Sequence, residues 1–389
     1  MRVLLAFDKF KDAVSARTAC TIAADALREL HPSWEFDLCP LTDGGEGFTE
    51  ILTESAKGKI QSAEVTGPRG APLRAPFGLA QLAQIPEAAR ARLALPSGLR
   101  ADGTIAIIEM AAASGLALLG NSDRDPWQTS TFGTGELMRI AQSRGAAVIL
   151  LGLGGSATND LGLGALAALG LEFRSEAGEK LPSTAPVEWS KLARITGSIP
   201  AGFPPVRVAC DVTNPLLGSN GCAAVYGPQK GLKPADLPLL EAESTRVAHL
   251  LCDHLQRPTS LIDEPGAGAA GGIAFGLMAG TDARVLSGFD LTAEWFDLRE
   301  RIRAADVVLT GEGRFDLSSD QGKGPGAILT FAAEASRPAH VFAGQVSVAS
   351  HRSAQLHQIS PATLPRAEAI RSTPALLRAA IQRQFAATT

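Results

Sequence analysis

Cysteine, histidine, tyrosine and lysine are all scarce in this chain, and each shortage removes a class of function. The five cysteines (Cys20, Cys39, Cys210, Cys222 and Cys252) are scattered, odd in number and free of any C-x-x-C pair, so they read as reduced core residues. The six histidines add no zinc-ligand spacing. One tyrosine, 5% aromatic residues and a net charge of −4 offer neither a stacking platform nor a basic face for nucleic acid. No uninterrupted apolar stretch reaches the roughly 18 residues of a membrane span. The run that opens at Met1 meets Asp8 before it could serve as a signal-peptide core. A Walker A loop is also missing. The expectation is a cytoplasmic protein with neither a membrane nor a nucleic-acid partner, and a homo-oligomer is left open.

What is present is an α/β pattern. At 389 residues the chain exceeds one average core and predicts two domains. Continuous apolar runs recur at 3–7, 105–109, 147–151, 206–210 and 306–310, as expected of parallel strands covered on both faces. Helical periodicity fills 14–30, 127–144 and 236–256, the second with Thr129 or Ser130 as its cap. The glycine- and proline-rich stretch 66–78 reads as a short antiparallel excursion, and 265–279 as a close-packed turn and core helix. Strand–helix–strand character returns after 290. The predicted fold is therefore two α/β domains with parallel sheet. One is discontinuous, 1–65 with 290–389, and the other is inserted at 66–289.

The densest chemistry lies at 146–170, AAVILLGLGGSATNDLGLGALAALG. An apolar run stops at Gly152, Gly154 and Gly155, and Ser156, Thr158, Asn159 and Asp160 follow before a helical run. Glycines let backbone N–H groups approach an anion, and a helix N-terminus beyond them favours phosphate. Gly152-x-Gly154-x-x-Ala157 also fits a relaxed dinucleotide fingerprint, with Glu172 where a ribose-binding acid would sit. The loop therefore reads as a nucleotide site, with an NAD-linked oxidoreductase of a small hydroxy acid as one alternative and a strand–helix turn that needs glycine for close packing as the other.

Polar residues gather at the carboxyl ends of the predicted strands, where open parallel sheets bind ligands. Asp8, Lys9 and Lys11 follow the first run, and Asp43, Gly44, Gly45 and Glu46 follow FDLCPL. Asp211, Thr213 and Asn214 follow VRVAC, and Gly311, Glu312, Gly313, Arg314 and Asp316 follow DVVLT. Of only nine lysines against twenty-seven arginines, Lys9, Lys11, Lys230 and Lys323 lie in such turns, where a compact ammonium suits phosphate. Asp8, Asp43, Asp211 and Asp316 are hard oxygen donors of the kind Mg²⁺ takes beside phosphates.

Taken in order, these blocks resemble the class I glycerate kinases over nearly the whole chain. The blocks are DKFKDAVSA (8–16), DGGEG (43–47), GPRG (67–70), EMAAASGL (109–116), TFGTGEL (131–137), GGSATND (154–160), CDVTNPLLG (210–218), YGPQKG (226–231), GAGAAGG (266–272) and TGEGRFD (310–316). The pattern departs at Ser318, which stands where the family has glutamine, so that the amide falls to Gln321 while Lys323 keeps its place. The resemblance implies an ATP-dependent kinase that phosphorylates D-glycerate at the 2-hydroxyl, with Mg²⁺. It also implies an active site in the cleft between two α/β domains, one of them flavodoxin-like.

On that basis the 154–160 loop is expected to cradle the nucleotide through Gly154, Gly155, Ser156, Thr158 and Asn159, with Lys230 in support. Lys323 would neutralise charge on the transferred group. Asp211 and Asp43 would serve Mg²⁺ and the attacking hydroxyl. Lys11, Arg314, Asn214 and Gln321 would hold glycerate, Arg314 through a bidentate carboxylate pair. Asp8 or Asp316 would act as base.

Overall fold

The computed structural model describes residues 1–100, 102–320 and 324–386. Among these the chain forms thirteen strands: β1 (Arg2–Phe7), β2 (Glu35–Leu38), β3 (Lys59–Thr66), β4 (Pro72–Gln81), β5 (Thr104–Glu109), β6 (Ala146–Gly152), β7 (Leu171–Arg174), β8 (Arg194–Gly197), β9 (Val206–Ala209), β10 (Arg284–Leu286), β11 (Val307–Phe315), β12 (Ala339–Val346) and β13 (Gln355–Gln358). They divide between two compact units. Unit 1 is Met1–Thr42 with Thr292–Thr389, and unit 2 is Asp43–Leu291. Residues 43–65, assigned from sequence to the first domain, group with unit 2, because β3 pairs antiparallel with β4 over its whole length.

Unit 1 holds one five-stranded sheet in the order β13-β12-β11-β1-β2, every pair parallel. Numbered within the unit this is 2-1-3-4-5, the flavodoxin-like order, in which β1 and β11 flank the point where the strand order reverses. β1 and β11 can be continuous apolar runs because both faces are covered. On one face lies the helix Ala16–Leu30, which opens at Ser15, whose hydroxyl accepts from Thr18 N–H. Its Ala19, Ala23 and Leu27 join Val3, Leu5, Leu309 and the helix residues Leu377 and Ile381 in one core.

Unit 2 has a six-stranded sheet, β10-β9-β6-β5-β4-β3. β10, β9, β6 and β5 run parallel, and β4 and β3 complete it antiparallel. The antiparallel excursion at 66–78 is thus the β3–β4 turn. The helix Phe132–Ser143 packs its Leu137, Met138 and Ala141 on this sheet. Its N-cap is Thr131; Ser130 Oγ accepts from Phe132 N–H (3.2 Å), whereas the Thr129 hydroxyl turns to Ala157 O. A second core gathers Trp189, Leu240, Val247, Leu251 and Phe275. Among the described residues no helix is long and apolar enough to cross a membrane.

Candidate active site

In unit 2 the parallel strands β5, β6, β9 and β10 end on one edge of the sheet, and the blocks 109–116, 152–162, 210–216 and 287–289 leave from it. The DGGEG segment lies against them, backbone on backbone. Gly154 N–H donates to Gly44 O (2.9 Å) and Gly47 N–H to Glu109 Oε2 (3.0 Å). A methyl group on Gly44 would stand 2.5 Å from Ala209 O, one on Gly152 2.5 Å from Gly44 O, and one on Gly154 2.2 Å from Gly45 Cα. Only glycine permits this approach. On the other side Leu116 N–H donates to Gly155 O (2.8 Å) and Ala157 N–H to Ser114 O (2.9 Å), so the 109–116 block pairs with the loop.

The loop's acid does not face a ligand. Asp160 is fully buried, and its carboxylate accepts from Thr131 N–H (2.7 Å), Thr131 Oγ1 (2.9 Å), Gly162 N–H (3.2 Å) and Gly164 N–H (3.1 Å). The next helix, Leu163–Leu169, begins only after Gly162. A carboxylate therefore already occupies the helix end that the sequence reading reserved for phosphate. Burial raises the Asp160 pKa against the pull of these donors.

Three predicted nucleotide contacts also point inward. Thr158 and Asn159 have no exposed surface, and Lys230 is buried at 1%. Lys230 Nζ donates to Thr158 O (2.6 Å), and Asn159 Nδ2 approaches Cys222 Sγ at 3.7 Å. Burial lowers Lys230 to about 8. Gly154 is half-buried, Gly155 exposed and Ser156 buried, so the Gly154–Gly155 turn is the part of the loop that a ligand can touch. Asn214 is likewise engaged. Its Nδ2 donates to Asn220 O and its Oδ1 accepts from Tyr226 OH, both at 2.8 Å, which pins the 214–226 loop.

Asp43 and Asp211 are half-buried at this edge. Asp43 Oδ1 accepts from Gly45 N–H (3.1 Å). Asp211 accepts from Ser287 Oγ and Phe289 N–H, both at 2.9 Å. A methyl on Gly288 would stand 2.2 Å from Asp43 O and 3.4 Å from Asp211 Oδ2, so the two residues flank one glycine. Among the described residues no group of three or more His, Cys, Asp or Glu side chains could hold a metal by itself.

In unit 1 the candidates lie at the strand-order reversal. Asp8 N–H donates to Gly311 O (3.0 Å), and Asp8 Oδ1 takes Lys9 N–H (2.7 Å) with Lys9 Nζ at 3.8 Å. Arg314 and Lys11 are exposed, and Arg314 Nε meets Asp316 Oδ2 at 3.3 Å. A methyl on Gly313 would stand 3.4 Å from Lys11 N, so the DKFK segment lies beside TGEG. Lys323 and Gln321 lie outside the described residues. Glu312, within the same block, was not singled out for a role by sequence reasoning. Burial, with Asp8 and Asp316 beside it, raises its carboxyl to about 7. Glu109, whose carboxylate receives Gly47 N–H, likewise carries no role of its own in the sequence pattern.

The dinucleotide reading fails on topology. It needs a second parallel strand after the helix, but β7 pairs antiparallel with β8 in a separate two-stranded sheet. Glu172 is paired there with Arg174 (2.5 Å) instead of standing at a ribose position.

The architecture and the ordered blocks agree with comparisons to known proteins. A family model described as the glycerate kinase family matches residues 3–389. The chain is 36% identical over 351 residues to a glycerate kinase of Halalkalibacterium halodurans, covering 88% of this chain and 85% of that one. It is 35% identical over 353 residues to the glycerate 2-kinase of Escherichia coli K12, covering 89% and 86%. A crystal structure described as a candidate glycerate kinase 2 from Salmonella typhimurium LT2 aligns with a TM-score of 0.76 at 34% identity, over 100% of this chain and 98% of that one. The chain is a kinase and belongs to the glycerate kinase family.

Proposed function

We propose that the enzyme transfers the γ-phosphoryl group of ATP to the 2-hydroxyl of D-glycerate, giving 2-phosphoglycerate and ADP. The observation that carries this reading is the 35% identity to a relative named glycerate 2-kinase across 89% of the chain. Phosphoryl transfer asks a protein for positioning and charge neutralisation. The Gly154–Gly155 turn suits the nucleotide phosphates, because it is accessible and no side chain stands in the way, with the buried Ser156 following directly behind it. Thr158, Asn159 and Lys230 serve it from beneath, as the support that fixes the turn. Lys11 and Arg314 suit the glycerate carboxylate, the guanidinium giving orientation as well as charge. Lys323 is proposed to neutralise the transferred group, and Gln321 and Asn214 to complete the substrate contacts, Asn214 by holding its loop.

Asp43 and Asp211 fit Mg²⁺ in the way kinases hold it, through one or two carboxylates beside substrate phosphates. Each spends some of its lone pairs on backbone N–H groups, which orients the remaining ones. Bound Mg²⁺ would supply screening of phosphate charge. We further propose that the enzyme is cytoplasmic and acts on small molecules alone.

The test is ADP release in a coupled assay with ATP and Mg²⁺. ADP that appears only when D-glycerate is present supports the proposal, and release indifferent to D-glycerate contradicts it.

A further inference from the structure

The reaction must also dispose of a proton, since the glycerate hydroxyl loses one as its oxygen bonds to phosphorus. Glu312 is placed to receive it. The residue before it, Gly311, pairs with Phe7, and its carbonyl takes Asp8 N–H (3.0 Å), so Glu312 stands just past the end of β1 where the strand order reverses. The backbone that carries it has no slack. A methyl on Gly311 would stand 1.9 Å from Phe342 O, and one on Gly344 would stand 2.4 Å from Gly313 O. The Ser319 hydroxyl, which donates to Arg314 O (3.4 Å), lies beside the Glu312 carboxyl. The carboxyl's Oε1 is buried and among the described residues has no hydrogen-bond partner. A buried acceptor without a donor is costly unless something fills the place. The neighbouring acids already have cations, Asp8 in Lys9 and Asp316 in Arg314. Lys9 also faces Glu312, but burial and the charges of Asp8 and Asp316 outweigh it, so Glu312 is the acid poised to take up a proton.

We propose that Glu312 is the catalytic base, its Oε1 accepting the hydroxyl proton of the acceptor substrate. The inference rests on the kinase reading above. The hydroxyl oxygen forms its bond to the γ-phosphorus of the nucleoside triphosphate, the bond from that phosphorus to the bridging oxygen breaks, and ADP leaves with that electron pair. The proton passes to Glu312 and then to water. A carboxyl titrating at about 7 is matched to this task near neutral pH.

The test is the pH dependence of kcat/KM for wild type, Glu312→Gln and Glu312→Ala, from pH 5.5 to 9. Wild type should lose activity below about pH 7 on one protonation. Glu312→Gln should lose about a hundredfold or more in kcat without that limb, and formate should restore part of the Glu312→Ala rate. Glu312→Gln within about threefold of wild type overturns the inference while the kinase reading stands. Should both variants fail to fold, the wild-type profile decides, and a flat profile from pH 5.5 to 8 overturns it. A wild type that leaves D-glycerate unphosphorylated at every pH defeats the functional reading, and the inference falls with it.

Discussion

Lys230 reaches through the interior of unit 2 to donate its ammonium to the main-chain oxygen of Thr158 at 2.6 Å. A lysine from the YGPQKG block thereby braces the glycine loop from below. Lys230→Met leaves that carbonyl buried without its donor, a loss of about 1–3 kcal/mol. The expected kinetic result is a raised KM for ATP with a smaller change in kcat. The folded pKa of about 8 lies below the unfolded value of about 10.5. Between them the unfolded chain holds a proton that the folded one has released. Wild type should therefore gain stability relative to Lys230→Met as pH rises through that interval. Melting curves of both proteins at pH 7.5 and 9.5 check the sign.

Gly154→Ala should be far more damaging than Gly155→Ala. The new methyl at 154 meets Gly45 Cα at 2.2 Å, so two backbones must part. At 155 the nearest atom is Ala111 Cβ at 3.4 Å, and the cost is the left-handed φ of +72 alone. A displacement of about 1 Å at the phosphate turn predicts about a hundredfold loss in kcat/KM for Gly154→Ala. Gly155→Ala should stay within about tenfold, and steady-state kinetics on the two variants measure the contrast.

Asp160→Asn keeps the shape of the side chain but replaces one accepting oxygen with a donor. At least one of the buried N–H groups at Thr131, Gly162 or Gly164 then loses its partner. The expected cost is about 2–4 kcal/mol, read as a lower urea midpoint with an unchanged m-value.

Buried His340 and half-buried His357 form a pair in unit 1, with Nδ1 of the first 3.0 Å from Nε2 of the second and Phe342 and Phe385 packed around them. Burial, with His357 beside it, lowers His340 to about 4, and His357 is lowered in the same direction. The unfolded chain takes up these protons near pH 6.5 while the folded one refuses them, so stability should fall as pH drops from about 6.5 toward 4. His340→Phe should flatten that decline. Parallel melting curves for the two proteins across this range would contradict it.

The fold was legible where physics writes it continuously. β1, β5, β6 and the start of β11 are covered on both faces and therefore appear as apolar runs, as does β9 apart from the buried Arg207. The short strands β7, β8, β10 and β13 carry three or four residues each and leave no such trace. The site was legible in its glycines and less so in its polar residues. Asp160, Asn159 and Lys230 have the chemistry of ligand contacts and stand in a glycine-rich context. Their side chains turn inward to hold the loop, and sequence spacing does not distinguish the two directions. Glu312 shows the converse, because its character comes from burial and from neighbours more than 300 positions away, such as Asp8.

The central claim is tested most directly by ³¹P NMR of the products formed from ATP, Mg²⁺ and D-glycerate. The account predicts ADP and a phosphomonoester signal matching 2-phosphoglycerate in equal amounts. A 3-phosphoglycerate signal, or ADP with inorganic phosphate alone, would contradict it.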